Sequence, residues 1–374
     1  MTPFTRADTS IMGNWWWTVD RWSLVAIAAL MAFGALLAAA SSPAVAERIG
    51  LDALYFIKRH FMLLPVSVIL ILGISALTPV QVRRLAVIAF LGCVVLLAAT
   101  LMLGVEIKGA RRWLSVAGFS LQVTEFVKPT FAVVAAWLFS EAARDPRFPG
   151  RLICTGIFAL VLGLIIAQPD LGQAVVITAV WMAQFFLAGL PMWLVAGLVV
   201  LGVSGIVGSY FTLSHVTSRI DRFLDPDSGD TYQIERSIEA FSSGGLFGRG
   251  PGEGQVKTVL PDAHADFVFA VAGEELGLLV TLIIVSLFAF IVLRGLARAM
   301  SEQNLFVLLA VSGLLVQFGI QALINMGSSL QLIPTKGMTL PFISYGGSSL
   351  LGIGLGLGMT LALTRRRTGL EGRS

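Results

Sequence analysis

The sequence predicts an all-α integral membrane protein of about ten transmembrane helices, with a large extracytoplasmic loop between helices 7 and 8. Only 13% of its 374 residues are charged, whereas soluble domains average roughly 25%, and 56% are hydrophobic. Several charge-free stretches exceed the roughly 20 residues that a helix needs to cross a bilayer. Because backbone groups inside lipid must be hydrogen-bonded within the protein, these stretches are expected to be helices.

The chain begins with a polar segment, residues 1–21, that includes three consecutive tryptophans, Trp15–Trp17. Tryptophans of this kind are typical of the membrane–water interface. The apolar run Trp22–Ala40 follows and is predicted to be the first span. A cleaved signal peptide is the alternative, because Ala44–Ala46 resembles a cleavage site. The run is longer than the roughly 7–15 apolar residues of a typical signal peptide, which favours a retained helix.

Nine further spans are predicted downstream. The charge-free stretch Leu171–Ser218 is long enough for two crossings, and Gly189 and Pro191 supply a turn between them, since both residue types break helices. The polar segment 213–264 is predicted to be the large loop. The ten predicted spans are Trp22–Ala40, Phe61–Leu77, Leu85–Leu103, Leu121–Ser140, Leu152–Ala167, Leu171–Ala188, Met192–Thr212, Phe267–Leu293, Leu305–Asn325 and Met338–Thr364.

Arginine clusters predict the orientation. An even number of spans places both ends of the chain on one side, and the total basic charge does not distinguish the two sides. Clusters at span ends do fall on the side of the termini: Arg83 and Arg84, Arg294 and Arg298, and Arg365–Arg367. The predicted organisation is a cytoplasmic tail (1–21), a ten-helix membrane domain (22–364) whose loop 213–264 is extracytoplasmic, and a cytoplasmic tail (365–374).

The remaining composition excludes some classes of function. The arginines are scattered over loop ends, and the net charge is only +4, so no nucleic-acid-binding patch is expected. Cys93 and Cys154 both lie in apolar runs. Each is predicted to be a small buried side chain, not half of a disulfide.

Charged residues near apolar spans are the candidates for function, because burying them in a membrane is costly. Glu125 and Lys128 are three residues apart and share one helix face, either as a local ion pair or as part of a site. Asp170 lies in the turn Gln168–Gln173 and either caps the next helix or contacts a substrate. Arg112 precedes the fourth span.

The stretch from Tyr232 to Leu278 holds the most polar candidates. Its alternating glycines at 248, 250, 252 and 254 match neither a dinucleotide-binding motif nor a P-loop, and a flexible outer loop is predicted. Asp262, His264 and Asp266 lack the spacing of a structural zinc site, although a loosely held Mg²⁺ or Mn²⁺ shared with a pyrophosphate remains open. Asp266 either caps the eighth span or performs chemistry. Glu274 and Glu275 lie deeper in that span, and capping does not explain them.

A last candidate group precedes the tenth span. Lys336 lies between Pro334 and Pro341, and Ser344 leads into the small-residue run Gly346–Ser349. Small residues let helices pack closely in lipid, which explains the run but not the lysine.

These motifs together resemble the SEDS family of multispanning cell-wall polymerases. The motifs are GARRW, QPDLG, LPDAHADF and PTKGMTLPFISYGGSS, in the family's order and over essentially the whole chain. The lysine after Pro-Thr is more similar to the family's cell-division members than to its elongation members. The resemblance implies a multi-pass protein of the bacterial cytoplasmic (inner) membrane, at the division septum. It also implies polymerisation of lipid II with a class B penicillin-binding protein transpeptidase, other division proteins and membrane lipid as partners.

The resemblance also implies residue roles. The family's catalytic aspartate falls on Asp266, with Ala265 in place of the commoner threonine, and its basic residues fall on Arg112, Lys128 and Lys336. The resemblance implies no cofactor, and the divalent cation, Mg²⁺ or Mn²⁺, is an alternative that the residues before the eighth span leave open. The predicted substrate-binding residues are Arg112, Glu125, Lys128, Asp170, His264, Glu274, Lys336 and Ser344.

The chemistry agrees with these assignments. Glycosyl transfer from a lipid pyrophosphate needs a base for the acceptor hydroxyl and positive charge for the leaving group. A lipid II flippase is an alternative, but the polar groups gather at one outer face instead of at midplane helix breaks. An elongation-type polymerase is a second alternative. A non-catalytic scaffold is a third, and it leaves Glu274 and Glu275 without a purpose.

Overall fold

The protein is a bundle of long apolar helices with a small sheet at one end. The computed structural model describes residues 10–107, 110–116, 118–189, 191–212, 217, 220–221, 232–334 and 337–366. The helices in chain order are α1 (Ile11–Thr18), α2 (Arg21–Arg48), α3 (Tyr55–Ser75), α4 (Pro79–Leu103), α5 (Thr124–Arg144), α6 (Gly150–Ala167), α7 (Leu171–Leu187), α8 (Met192–Thr212), α9 (Tyr232–Gly244), α10 (Val268–Met300), α11 (Leu305–Ser329) and α12 (Gly347–Leu363), with a 3₁₀ turn at Val256–Thr258.

This architecture confirms the predicted helical membrane fold. Within the described residues, seven helices are long and apolar enough to cross a membrane: α2, α3, α4, α5, α6, α10 and α11. The apolar helices α7 and α12 are shorter, at 17 residues each, and α8 has 21 residues. Each of the ten predicted spans overlaps one of these helices. The candidate cleavage site Ala44–Ala46 lies inside α2.

The last predicted span begins too early. The sequence predicts a helix from Met338, but α12 starts at Gly347. Two features of the intervening backbone prevent a helix. Pro341 is followed by Phe342 at φ 63°, a left-handed conformation that bulky residues rarely adopt. The Ser344 hydroxyl also accepts a hydrogen bond from the backbone N–H of Leu340 at 2.7 Å.

The glycine-rich segment is not the flexible outer loop that the sequence predicts. It follows α9, which packs on α10, and it lies against a break in α10 at Gly277, whose φ and ψ are 76° and 178°. The contact requires glycine on both sides. A Cβ at Gly248 would lie 2.2 Å from the carbonyl oxygen of Glu275, and one at Gly277 would lie 2.3 Å from the Gly248 nitrogen.

A three-stranded antiparallel sheet connects α4 to α5, which the all-helical prediction missed. Its strands are β1 (Val105–Ile107), β2 (Ala110–Val116) and β3 (Phe119–Leu121), in the order β1-β2-β3. The sheet places Arg112, on β2, beside the turn between α6 and α7.

Successive spans alternate in direction. One end of the bundle therefore holds the sheet, the α6–α7 turn and the segments before α10 and α12. An ion cluster marks the other end. Buried Asp20 accepts from Arg294 at 2.7 Å and lies 3.1 Å from Arg298. Burial alone raises the pKa of Asp20, but hydrogen bonds from Arg294 and Ser23 and the charge of Arg298 outweigh it and lower that pKa. The cluster ties the start of α2 to the last turns of α10.

Candidate active site

Three hydrogen bonds hold the backbone around the predicted catalytic aspartate. The carbonyl oxygen of His264 accepts from the backbone N–H of Tyr345 at 2.8 Å. The carbonyl of Ala265 accepts from the Ser344 hydroxyl at 2.5 Å, and that of Asp266 accepts from the side-chain amide of Asn325 at 2.9 Å. Asn325 is fully buried and also donates to the carbonyl of Met338 at 2.7 Å. The segment before α10 is therefore fastened to the segment before α12.

Asp266 lies at the junction of this segment with α10 and is partly exposed. The N-cap position of α10 belongs to Phe267, not to Asp266, so the capping interpretation of Asp266 is wrong. A Cβ at Gly337 would lie 3.0 Å from its Oδ2 atom, so the carboxylate lies close to the Gly337 backbone. The preceding residue, Lys336, lies outside the described residues.

Glu125 and Lys128 form a buried ion pair, as their spacing predicts. The Lys128 ammonium donates to Glu125 Oε2 at 3.0 Å and to Gln321 Oε1 at 2.8 Å. The second Glu125 oxygen accepts from Gln173 at 2.7 Å. Because Gln321 donates to Thr339 Oγ1 at 3.2 Å, this network joins α5, α7 and α11 to the segment before α12.

Arg112 and Asp170 meet at the α6–α7 turn. The Arg112 guanidinium donates to the backbone carbonyls of residues 168–169 and lies 3.9 Å from Asp170 Oδ2. Asp170 also accepts from the backbone N–H of Gln173, at 3.5 Å, which fits its predicted role as a helix cap. Burial raises the pKa of Asp170, and the charge of Arg112 partly opposes that shift.

His264 is buried in an aromatic pocket. Its ring stacks on Phe56 at a centroid distance of 4.5 Å and lies 5.4 Å from the Tyr345 ring. Burial lowers its pKa to about 4, so the imidazole is neutral at pH 7. Its Nδ1 atom has no hydrogen-bond partner among the described residues.

The described residues do not support a metal site built by the protein alone. Among all residues that the structure describes, no group of three His, Cys, Asp or Glu side chains could hold a metal ion. Asp262, His264 and Asp266 therefore do not form such a site by themselves, and a Mg²⁺ or Mn²⁺ shared with a pyrophosphate stays a prediction.

Glu274 and Glu275 bind the glycine-rich segment instead of facing an open site. Glu274 is fully buried, and its carboxylate accepts three backbone N–H groups from residues 255–257, at 2.6, 2.8 and 3.0 Å. Glu275 pairs with the ammonium of Lys257 and accepts from the N–H of Gly252 at 3.1 Å. The substrate-binding role predicted for Glu274 is replaced by a structural one, because its oxygens are already occupied.

The FtsW/RodA/SpoVE family, described as cell cycle proteins, matches residues 21–369. The chain belongs to this family. It is 47% identical over 372 residues to a probable peptidoglycan glycosyltransferase FtsW of Caulobacter vibrioides, covering 99% of this chain and 95% of that protein. It is 35% identical over 365 residues to one of Coxiella burnetii, covering 93% and 96%.

Solved structures agree with that membership. A chain from a peptidoglycan synthase complex matches with a TM-score of 0.76 and 26% identity, covering 92% of this chain and 97% of that chain. RodA of Thermus thermophilus matches with a TM-score of 0.69 and 26% identity, covering 93% and 97%. The predicted SEDS resemblance and its similarity to FtsW members are confirmed.

In this FtsW-like protein, seven of the nine predicted site residues form three groups at one end of the bundle, whereas Glu274 binds the glycine-rich segment and Lys336 lies outside the described residues. His264, Ser344 and Asp266 make one group, which Asn325 anchors. The ion pair on α5 is the second group and the Arg112–Asp170 contact is the third. Gln173 links the second and third groups, because it contacts Glu125 through its side chain and Asp170 through its backbone.

Sequence reasoning missed Gln173 and Gln321. Both are uncharged residues within apolar helices, and both are buried. A polar amide inside a predicted span is the signal that could have found them, since such a group needs a hydrogen-bond partner within the protein.

Proposed function

We propose that this protein is a peptidoglycan glycosyltransferase that polymerises lipid II into glycan strands during septal cell-wall synthesis. The proposal rests on the three hydrogen bonds to the carbonyls of residues 264–266, which fix the Asp266 backbone at the loop–membrane junction. The names of the FtsW relatives support the activity.

Asp266 serves as the general base in this proposal. Its carboxylate takes the proton from a sugar hydroxyl of the acceptor, and the resulting oxygen attacks the anomeric carbon of the donor. The bond from that carbon to the pyrophosphate breaks, and the pyrophosphate leaves with the electron pair. Attack opposite the leaving group inverts the anomeric carbon. A positioned base of this kind contributes about 10²–10⁴-fold to the rate.

The leaving pyrophosphate needs positive charge held in place before the reaction. We assign this role to Arg112 and Lys336, with Lys128 supporting it from the buried network. The Arg112 side chain is one-third exposed, which leaves it accessible to a ligand. The Lys128 ammonium is fully buried and bonded to Glu125 and Gln321, so it acts through the orientation of Gln321 and the segment before α12.

His264 and Ser344 complete the site. The Nδ1 atom of His264, which has no partner among the described residues, supports a hydrogen bond to substrate once the aromatic residues around it move apart. Ser344 binds the carbonyl of Ala265, which supports a role in positioning the neighbouring base. Asp170 and Glu125 orient Arg112 and Lys128.

The proposed setting is the cytoplasmic (inner) membrane at the division septum. The Asp20–Arg294–Arg298 cluster supports an orientation in which its own end of the bundle and both termini lie in the cytoplasm. Asp266 then lies on the opposite side of the membrane. The match to a synthase complex supports pairing with a class B penicillin-binding protein. Other division proteins and membrane lipid complete the proposed partners.

The decisive experiment is reconstitution of the protein with its cognate transpeptidase and lipid II, followed by gel analysis of glycan products. Polymer from the wild type, lost in Asp266→Asn, is the expected result. Movement of lipid II across the membrane without polymer would favour a flippase instead. An elongation-type polymerase would be indicated if depletion of the protein halted elongation and left septation intact.

A further inference from the structure

The turn after α9 exposes two large apolar side chains. Leu246 is 56% exposed and Phe247 is 80% exposed. Both lie between Gly245 and Gly248, in a segment that the sequence predicts to be outside the membrane. An exposed apolar pair in such a place calls for a covering environment.

Hydrogen bonds attach this turn to the side of α10. The backbone N–H of Leu278 donates to the carbonyl of Gly245 at 2.9 Å, and that of Leu279 donates to the carbonyl of Leu246 at 3.2 Å. They form where Gly277 interrupts the helix, which frees the N–H groups of the next turn. Leu246 therefore lies at the same level of the bundle as Leu279.

The depth of Leu246 and Leu279 falls within the hydrocarbon core of the bilayer. Arg294 belongs to the ion cluster at the far end of the bundle, and the helix from Leu279 to Arg294 rises about 22 Å at about 1.5 Å per residue. The hydrocarbon core of a bilayer is about 30 Å thick. Leu278, Leu282 and Ile283 on the same helix are each about half exposed, which makes this surface of α10 lipid-facing.

We infer that Leu246 and Phe247 insert into the lipid bilayer and anchor the extracytoplasmic segment to the membrane. The two side chains extend the lipid-facing surface of α10. They are covered by the acyl chains of the leaflet on the side of Asp266. The exposed Arg249 follows two residues later, where its guanidinium can reach lipid headgroups.

Several backbone groups of the turn are paired within the protein, as such a location requires. Non-helical backbone at membrane depth must have its polar groups paired within the protein. The N–H groups of Arg249 and Gly250 donate to the carbonyls of Glu274 and Glu275, each at 3.0 Å. Glu274 and Glu275 thus hold the glycine-rich segment through its backbone, and the lipid holds the same segment through Leu246 and Phe247.

The test places an environment-sensitive fluorophore on the turn. In a Cys93→Ala/Cys154→Ala background, Phe247→Cys is labelled with NBD and the full chain is reconstituted in phosphatidylglycerol/phosphatidylcholine nanodiscs. Ile283→Cys provides the lipid-facing control and Glu253→Cys, on the exposed part of the loop, the aqueous control. Quenching is measured with doxyl-labelled phosphatidylcholine and with iodide.

The expected result is blue-shifted emission at position 247, quenched by doxyl lipid several-fold more than at position 253 and protected from iodide. Emission and iodide quenching equal to those at position 253 would overturn the inference. Blue-shifted emission without doxyl quenching would also overturn it, because the side chain would then be covered by protein. Neither result bears on polymerase activity, so the proposed function is tested separately.

Discussion

The side-chain amide of Asn325 donates hydrogen bonds to the backbone carbonyls of Asp266 and Met338, at 2.9 and 2.7 Å. One buried residue of α11 thereby ties together the segment that carries the proposed base and the segment that contains Lys336. The position of the Asp266 backbone relative to the Met338 backbone therefore depends on this anchor.

The first prediction concerns the base. Asp266→Asn should reduce polymerisation of lipid II by about 10²–10⁴-fold, because an amide cannot accept the hydroxyl proton, while the amount of folded protein stays unchanged. The matched control is Asp262→Asn, four residues earlier, where φ is 51° and asparagine tolerates that backbone conformation. Near-normal polymer from Asp266→Asn in the gel assay would end the case for this residue.

The second prediction concerns Asn325. Asn325→Asp keeps the shape of the side chain but removes the donors to both carbonyls, each loss costing about 1–3 kcal/mol for a buried acceptor. We expect a lower thermal midpoint and a fall in kcat with little change in KM, since substrate contacts remain. Ser328→Ala is the control, because that buried hydroxyl on α11 has no partner among the described residues. An Asn325 variant that loses stability but keeps kcat would contradict the positioning role.

The third prediction concerns the buried ion pair. Lys128→Met alone leaves the Glu125 charge buried without its cation, which costs about 3–5 kcal/mol. Glu125→Gln alone leaves the opposite charge. The double variant should unfold at a higher temperature than either single variant, as measured by thermal denaturation in detergent. Strictly additive losses would show that the two charges do not depend on each other.

The fourth prediction concerns Lys336. If it contacts the pyrophosphate, Lys336→Ala should lower polymerisation without reducing the folded protein in the membrane. Lys336→Arg should retain more activity than Lys336→Ala, because it keeps the charge but changes the geometry. Equal and normal activity of both variants would make the lysine an interface anchor only.

The fifth prediction concerns orientation. In the Cys93→Ala/Cys154→Ala background, Ser228→Cys and Ser243→Cys should react with an impermeant thiol reagent in intact cells. Ser301→Cys, beyond the far end of α10, should react only after the membrane is permeabilised. The reverse labelling pattern would invert the proposed topology.

The sequence alone determined the helical membrane class and the family, and each of its ten predicted spans overlaps an apolar helix of the described residues. These follow from local properties: hydropathy over about 20 residues marks a span wherever the helix packs. The motifs are likewise contiguous in the chain. The Glu125–Lys128 pair was predictable for the same reason, because a separation of three residues places both side chains on one helix face in any fold.

Only the tertiary structure decided how distant segments meet. Asn325 is 59 residues from Asp266 in the chain, and nothing in either local pattern indicates that an amide of α11 binds the carbonyl before α10. The close approach of Gly248 and Gly277 likewise turns an expected free loop into a packed one and diverts Glu274 from substrate to backbone. Such pairings depend on where whole helices lie, because hydrogen bonds of buried polar groups are satisfied by whichever partner the packing brings near.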